Sequence, residues 1–216
     1  MRPSQRFALL QFRASVRLRK LRDSVSTACL SLPSPAAKVA ISYAVVESLN
    51  TWTEFVRGYF LSCILRPKRV RGGRVAAAAF TGITFNDAIG VAMSRHRPAT
   101  PLPASGRWPR RDEPTWHDPY ILLNSCADLG CSNLGQIQAA LSLPTRVFAD
   151  LPVFRNFFAH RNHATAASAR SLAAYYSIPS YSHPIEILAS LPSGRPEPLL
   201  VDWIDDILIV IEFLCE

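Results

Sequence analysis

The segment Val153-Phe154-Arg155-Asn156-Phe157-Phe158-Ala159-His160-Arg161-Asn162 sets an arginine, an asparagine and a histidine within six residues of an otherwise apolar run. Each of the three side-chain types has a task in phosphate chemistry. Arg155 offers a permanent planar cation whose geometry matches phosphate oxygens. His160 supplies an imidazole, the side chain suited to moving protons near neutral pH. Asn156 carries an amide that can orient the histidine or a phosphate. In a helix, at about 100° per residue, Asn156 and His160 stand one turn apart on the same face, with Arg155 on the adjoining flank. Leu151, Phe154, Phe157 and Phe158 fall on the opposite side, so the apolar face can anchor in a core while the polar triplet points outward.

The elements that must position this triplet read as helices. Asp150 before Leu151-Pro152 has the form of a cap followed by a first-turn proline, which predicts a motif helix that starts at 151 or is kinked at Pro152. Upstream, Phe7, Leu10, Ala14, Leu18, Leu21, Val25 and Ala28 recur at three and four residues, the spacing of one helical face. That helix should stop at Ser31-Leu32-Pro33-Ser34-Pro35. A longer helix is expected over 36–65, with a polar stripe formed by Glu47, Asn50 or Thr51, and Glu54. Thr84 or Asn86 can cap a short helix reaching Arg95. Residues 96–116, with five prolines and no periodicity, read as an inserted loop. Its Trp108 and Trp116 stand among Arg107, Arg110 and Arg111, either to stack on unpaired bases or to anchor the loop.

Asp118-Pro119 opens a further run of helical pattern, over 118–129, 132–143, 145–162 and 164–178. After a Pro-rich passage at 179–198, a last helix runs from Leu199 to Cys215. With no alternating strand pattern, no hairpin signal and no internal repeat, the chain reads as all-α. Ile207–Cys215 is strongly apolar but too short for a bilayer, and acidic residues flank it, so no membrane association is expected.

The charge is uneven. The net +8 comes from residues 1–74, where 14 Lys/Arg face 3 Asp/Glu; residues 75–216 carry 10 against 13. Such asymmetry suits contact with a polyanion, although a solvated arginine-rich helix has the same composition. Arg66, Lys68, Arg69, Arg71 and Arg74, with two glycines among them, read as a mobile positive loop able to contact a phosphate backbone. The basic N-terminus interrupts any signal-peptide core, while imitating a mitochondrial transit sequence. Five cysteines, at 29, 63, 126, 131 and 215, form no disulfide framework and fit a reducing, cytoplasmic setting. Cys126 and Cys131 have no second Cys/His pair at ligand spacing, so they read as buried small hydrophobes and no metal site is expected.

The Arg-Asn-x-x-x-His arrangement of Arg155, Asn156 and His160 resembles the Arg-x4-6-His signature of the HEPN superfamily. The resemblance implies a bundle of four or five helices over residues 36–216, preceded by a basic helix and linker at 1–35 and interrupted by the loop at 96–116. It implies a metal-independent endoribonuclease, without cofactor, of the toxin or defence-effector kind. In such an enzyme the ribose 2′-OH attacks the phosphate, leaving a 2′,3′-cyclic phosphate and a 5′-hydroxyl. One motif supplies one histidine, so a composite homodimer site is implied, and an antitoxin is a further possible partner besides RNA.

Glu47 and Glu54 are auxiliary candidates, because an acidic residue on the earlier long helix assists the motif in some members. His163 either assists or caps the following helix. In one HEPN branch a tyrosine modified by a partner nucleotidyltransferase follows the histidine by two residues. Here that position is Asn162, which disfavours such control. The alternative to catalysis is a HEPN-like module that binds RNA or nucleotide or docks a partner. A purely structural use of Arg155 and His160, tying helices together, would leave neither reading standing, and a zinc enzyme built on His160 and His163 lacks an acidic general base at helical spacing.

Overall fold

The computed structural model describes residues 6–77, 82–179, 181 and 183–216. Residues 1–5 of the N-terminal basic segment, and 180 and 182 of the Pro-rich passage, lie outside them. Among the described residues the protein is all-α: helices α1 (Arg6–Leu30), α2 (Pro35–Cys63), α3 (Phe85–His96), α4 (Pro119–Asp128), α5 (Leu134–Leu141), α6 (Val147–His160), α7 (His163–Tyr175), α8 (Pro184–Ala189) and α9 (Leu199–Cys215), with a short 3₁₀ turn at Arg110–Asp112. No strand accompanies them, only isolated bridges pairing Lys68 with Arg74 and Ala77 with Cys131. No helix among the described residues is long and apolar enough to cross a membrane.

The predicted apolar face of α1 is buried at Phe7, Ala14, Leu18, Leu21, Val25 and Ala28, and Leu10 is half-buried. Local chemistry sets the starts of several helices. Ser34 accepts from the Ala37 N–H at 3.2 Å, so α2 begins with Pro35 in its first turn, where a missing N–H is harmless. Thr84 closes a capping box with Asp87 at α3. Asn86, the other candidate cap, instead holds the Gly106 carbonyl and the Trp108 N–H of the Pro-rich loop, both at 3.0 Å. Asp118 caps α4 as its sequence predicts.

The residues form two compact units. The first comprises Trp52–Leu143, Val210–Glu216 and the described part of Met1–Ala14. Its core stacks Phe7 on Tyr59 with centroids 4.4 Å apart. Gly58 lets α1 come close, since a Cβ there would lie 3.0 Å from Leu10 Cδ2. The Tyr59 hydroxyl donates to the Leu214 carbonyl at 2.9 Å and accepts from Asn133 at 2.6 Å, satisfying a phenol buried among apolar groups.

The Pro-rich loop is anchored in this unit rather than presented for stacking. Buried Glu113 takes a bidentate pair from Arg57 at 2.6 and 2.7 Å and the Trp116 indole N–H at 2.9 Å. Trp116 is itself buried against Phe60. The expected mobile loop at 66–74 is a tied turn. Its ends pair through Lys68 and Arg74, and Arg69 N–H donates to the Gly73 carbonyl at 3.2 Å. Val70 N–H donates to the Cys215 carbonyl at 2.8 Å. The glycines that suggested mobility serve the turn instead: Gly72 has φ +127°, a backbone conformation that a side chain would strain.

The second unit comprises Ser15–Thr51 and Pro144–Ile209. Here α6 packs on α7, and α7 on α8. Phe154, wholly buried, meets Trp203 edge-on at 5.6 Å, and Tyr176 meets the same indole at 5.7 Å. Each such side chain removed from water stabilises the fold by about 1.5–3 kcal/mol. Some of the basic charge of α1 is neutralised within the unit, where Arg22 binds Asp205 at 2.8 Å and Arg17 binds Glu47 at 2.8 Å. Arg19 and Lys20 remain exposed.

Candidate functional site at the end of helix α6

Helix α6 starts at Val147, within the helical pattern read over 145–162 and ahead of the alternative start at 151. Asp150 is not a cap before Leu151; it lies in the first turn, buried, and receives Arg146 in two hydrogen bonds at 3.0 and 3.1 Å. The Tyr176 hydroxyl donates to the same carboxylate at 2.6 Å, and the Arg146 guanidinium lies 3.8 Å from the Tyr175 ring centroid. This network fixes the start at Val147 and leaves Pro152 inside the helix, where it removes one ladder donor. An acid among the first-turn N–H groups is also where the helix dipole favours it.

From that anchored start the helix carries the triplet to its far end. Leu151, Phe154 and Phe157 are buried, and Phe158 is half-buried. Arg155 is half-buried, while Asn156 and His160 are exposed, so the two faces divide as their spacing requires. Arg155 Nη1 reaches Asn156 Oδ1 at 3.5 Å, the outer limit of a hydrogen bond. No hydrogen bond joins Asn156 to His160, and neither Arg155 nor His160 is ion-paired to a carboxylate among the described residues. The triplet is therefore brought together on one helix end without being consumed in holding neighbouring helices.

Helix α6 stops because Arg161 turns left-handed, at φ 43° and ψ 43°. Asn162 then caps α7 in a box with Thr165, accepting its N–H at 2.9 Å. The capping role considered for His163 thus belongs to Asn162, and His163 is an exposed first residue of α7. Asn162→Ala is expected to destabilise the α6–α7 connection by about 0.5–2 kcal/mol. Urea denaturation followed by circular dichroism measures this.

The auxiliary candidates are placed apart in their bonding. Glu47 is engaged by Arg17 at 2.8 Å and by Asn50 at 3.1 Å. Glu54 is exposed and belongs to the first unit. Of the two middle positions read for the stripe on α2, Asn50 is exposed beside Glu47 and Thr51 is buried. In the basic turn, also of the first unit, Arg69 donates to Gln136 at 3.2 Å and Arg71 pairs with Glu216 at 2.9 Å. Arg66, Lys68 and Arg74 are exposed.

No protein-family model, curated protein or solved structure matches this chain.

A cavity of about 260 Å³ opens beside the last turn of α6, and sequence reasoning did not find it. Phe157 and Phe158 form one wall, and Lys38, Arg161 and His183 bring basic groups to it. On the helical wheel it faces about 130° away from Asn156 and His160, so it is a neighbour of the triplet and not part of it. The components are far apart in sequence. Only His183-Pro184-Ile185-Glu186 carries a local signal, a capping box around a first-turn proline that starts α8 within the passage read as loop.

His183 Nδ1 accepts the Ile185 N–H at 3.2 Å, which leaves Nε2 as the donor in the neutral ring. Burial first, then the charges of Lys38 and Arg161, hold this imidazole below its ordinary range, against the opposing pull of Glu186. The folded chain therefore takes up this proton less readily than the unfolded chain. The stability contribution is complete above the unfolded value of about 6.5 and is lost as pH falls through it toward the lower folded value. Urea midpoints should fall between about pH 7.5 and 5.5. His183→Asn, which retains a capping acceptor, should reduce that fall.

Proposed function

We propose that the protein is a metal-independent endoribonuclease of HEPN type, acting in the cytoplasm as a toxin or defence-system effector. Arg155 binds the scissile phosphate, His160 moves the proton and Asn156 orients one of them. The observation that carries this reading is that Asn156 and His160 are exposed, with Arg155 half-buried on the adjoining flank, on a helix whose other face is buried. A structural arginine and histidine would be spent in ion pairs between helices, as Arg22 of α1 is with Asp205 of α9. A further support is that α6 and the early part of α2 line a common cavity, the juxtaposition of a late motif helix with a long earlier one.

Cleavage without metal needs a base for the 2′-OH, a cation on the phosphorane and an acid for the leaving 5′-oxygen. A single chain offers one triplet. Two exposed α6 ends facing each other across a homodimer provide two imidazoles and two guanidiniums, so acid and base are both supplied. A cognate antitoxin would act by covering this same surface.

The second reading is a binding module, and the Lys38, Arg161 and His183 cavity with its Phe157 and Phe158 wall favours it. Basic groups beside aromatic rings hold the phosphate and base of a nucleotide without cutting it. The two separate in one assay of the purified chain on total RNA in EDTA. Fragmentation supports the nuclease; a gel shift with RNA left intact assigns the protein to the binding class.

A further inference from the structure

Three cysteines from separate parts of the sequence meet in the first unit. Cys63 ends α2, Cys126 lies on α4, and Cys131 follows it after a turn in which Gly130 has φ 61°. Their Sγ atoms all lie within 4.8 Å of one another, and all three side chains are buried. Cys215, the last residue of α9, is also fully buried in the same unit, outside the group of three whose sulfurs lie mutually within 4.8 Å, and its sulfur must move in to complete a tetrahedron. Cys29 lies in the second unit and takes no part.

We propose that Cys63, Cys126, Cys131 and Cys215 bind one Zn²⁺ in a closed tetrahedral structural site that ties together the ends of α2 and α9 and the turn after α4. Zinc–sulfur bonds of about 2.3 Å place tetrahedral sulfurs about 3.8 Å apart, so the three clustered sulfurs need close by no more than about 1 Å. On binding, each thiol gives an electron pair to the metal and its proton to solvent, four protons in all. The Cys63 thiol now donates to the Tyr59 carbonyl at 3.4 Å, and that proton is among those displaced.

Thiolates select a soft cation, and three sulfurs from separate parts of the sequence at this mutual spacing match its ligand type. The basic turn bears on the site as well. A zinc with four thiolates carries a double negative charge, and the Arg66–Arg74 segment is tied to one of the ligand residues. Val70 N–H donates to the Cys215 carbonyl at 2.8 Å. Further along, Ala77 bridges to Cys131. The backbone of that turn is thus tied to a site that would need positive charge, a role for its basic residues distinct from binding RNA.

The test uses the full chain, purified under reducing conditions without a metal-affinity step. Elemental analysis should find about one zinc per chain, and cobalt exchange should give the thiolate charge-transfer and intense d–d bands of a tetrahedral sulfur site. Cys29→Ser should retain both signals; Cys63→Ser and Cys215→Ser should weaken or lose them. Wild-type protein that holds neither zinc nor cobalt, or that shows octahedral cobalt bands, would overturn the proposal. So would a Cys126–Cys131 disulfide found by mass spectrometry in the purified chain, or cobalt bands unchanged in Cys215→Ser. Because a ligand variant can fail to fold, the wild-type cobalt spectrum decides by itself, and it is read independently of any RNA cleavage.

Discussion

His160→Ala is expected to lower RNA cleavage in EDTA by at least about 10²-fold, the smaller end of what a positioned proton donor or acceptor contributes. Arg155→Ala should produce a loss of about 10²–10³-fold, because it removes the cation aimed at charge that develops on the phosphate. Arg155→Lys should restore little, since an ammonium lacks the planar pair of donors. Both alanine variants should unfold within about 0.5 kcal/mol of the parent, because His160 is exposed and Arg155 carries no ion pair. Gel analysis of RNA alongside urea denaturation checks the two halves together. Growth inhibition on expression, relieved by either substitution, is the expected cellular counterpart. Loss of several kcal/mol in both variants would return the pair to a structural role.

Glu113→Ala should be the most destabilising single change outside the apolar cores. The Glu113 side chain is only 2% exposed and holds both the Arg57 guanidinium and the Trp116 indole. Its removal leaves a buried indole N–H unpaired and a cation partly stranded. Breaking a buried pair from one side costs about 3–5 kcal/mol; Arg57 keeps 28% exposure and can be rehydrated, so about 3 kcal/mol is expected. Glu113→Gln, which retains acceptor and shape for Trp116, should lose less. The double variant with Arg57→Ala should recover part of the loss, a coupling that urea midpoints of the four chains would reveal.

Much of the architecture is legible in the sequence because it is written in local periodicity and caps. The buried face of α1, the bounds of α9 and the Asp118-Pro119 start follow from spacing and from residues that satisfy free N–H groups. The failures share a cause. Asp150 and Pro152 have the form of a helix start at 151, but a bond to Asp150 from the distant Tyr176, together with the pair from Arg146 one turn back, outweighs that signal. The turn at 66–74 reads as mobile because its glycines are visible and its tie to Cys215 is not. Likewise Cys63 lies far from Cys126 in sequence, so ligand spacing says nothing of the cluster. The outward triplet was legible because Arg155, Asn156 and His160 sit on one helix. The cavity beside it was not, since Lys38 and His183 arrive from opposite ends of the chain.

The most direct measurement is the chemistry of the RNA ends. RNA treated with the wild-type chain in EDTA should carry 2′,3′-cyclic phosphate and 5′-hydroxyl termini, detected by mass spectrometry of a cleaved oligonucleotide. A single 2′-deoxy substitution at the cleaved position should abolish the cut, and the His160→Ala chain should leave the oligonucleotide intact. Uncut RNA with the wild type, cleavage that survives the 2′-deoxy substitution, or identical products from His160→Ala would contradict the assignment of the α6 triplet.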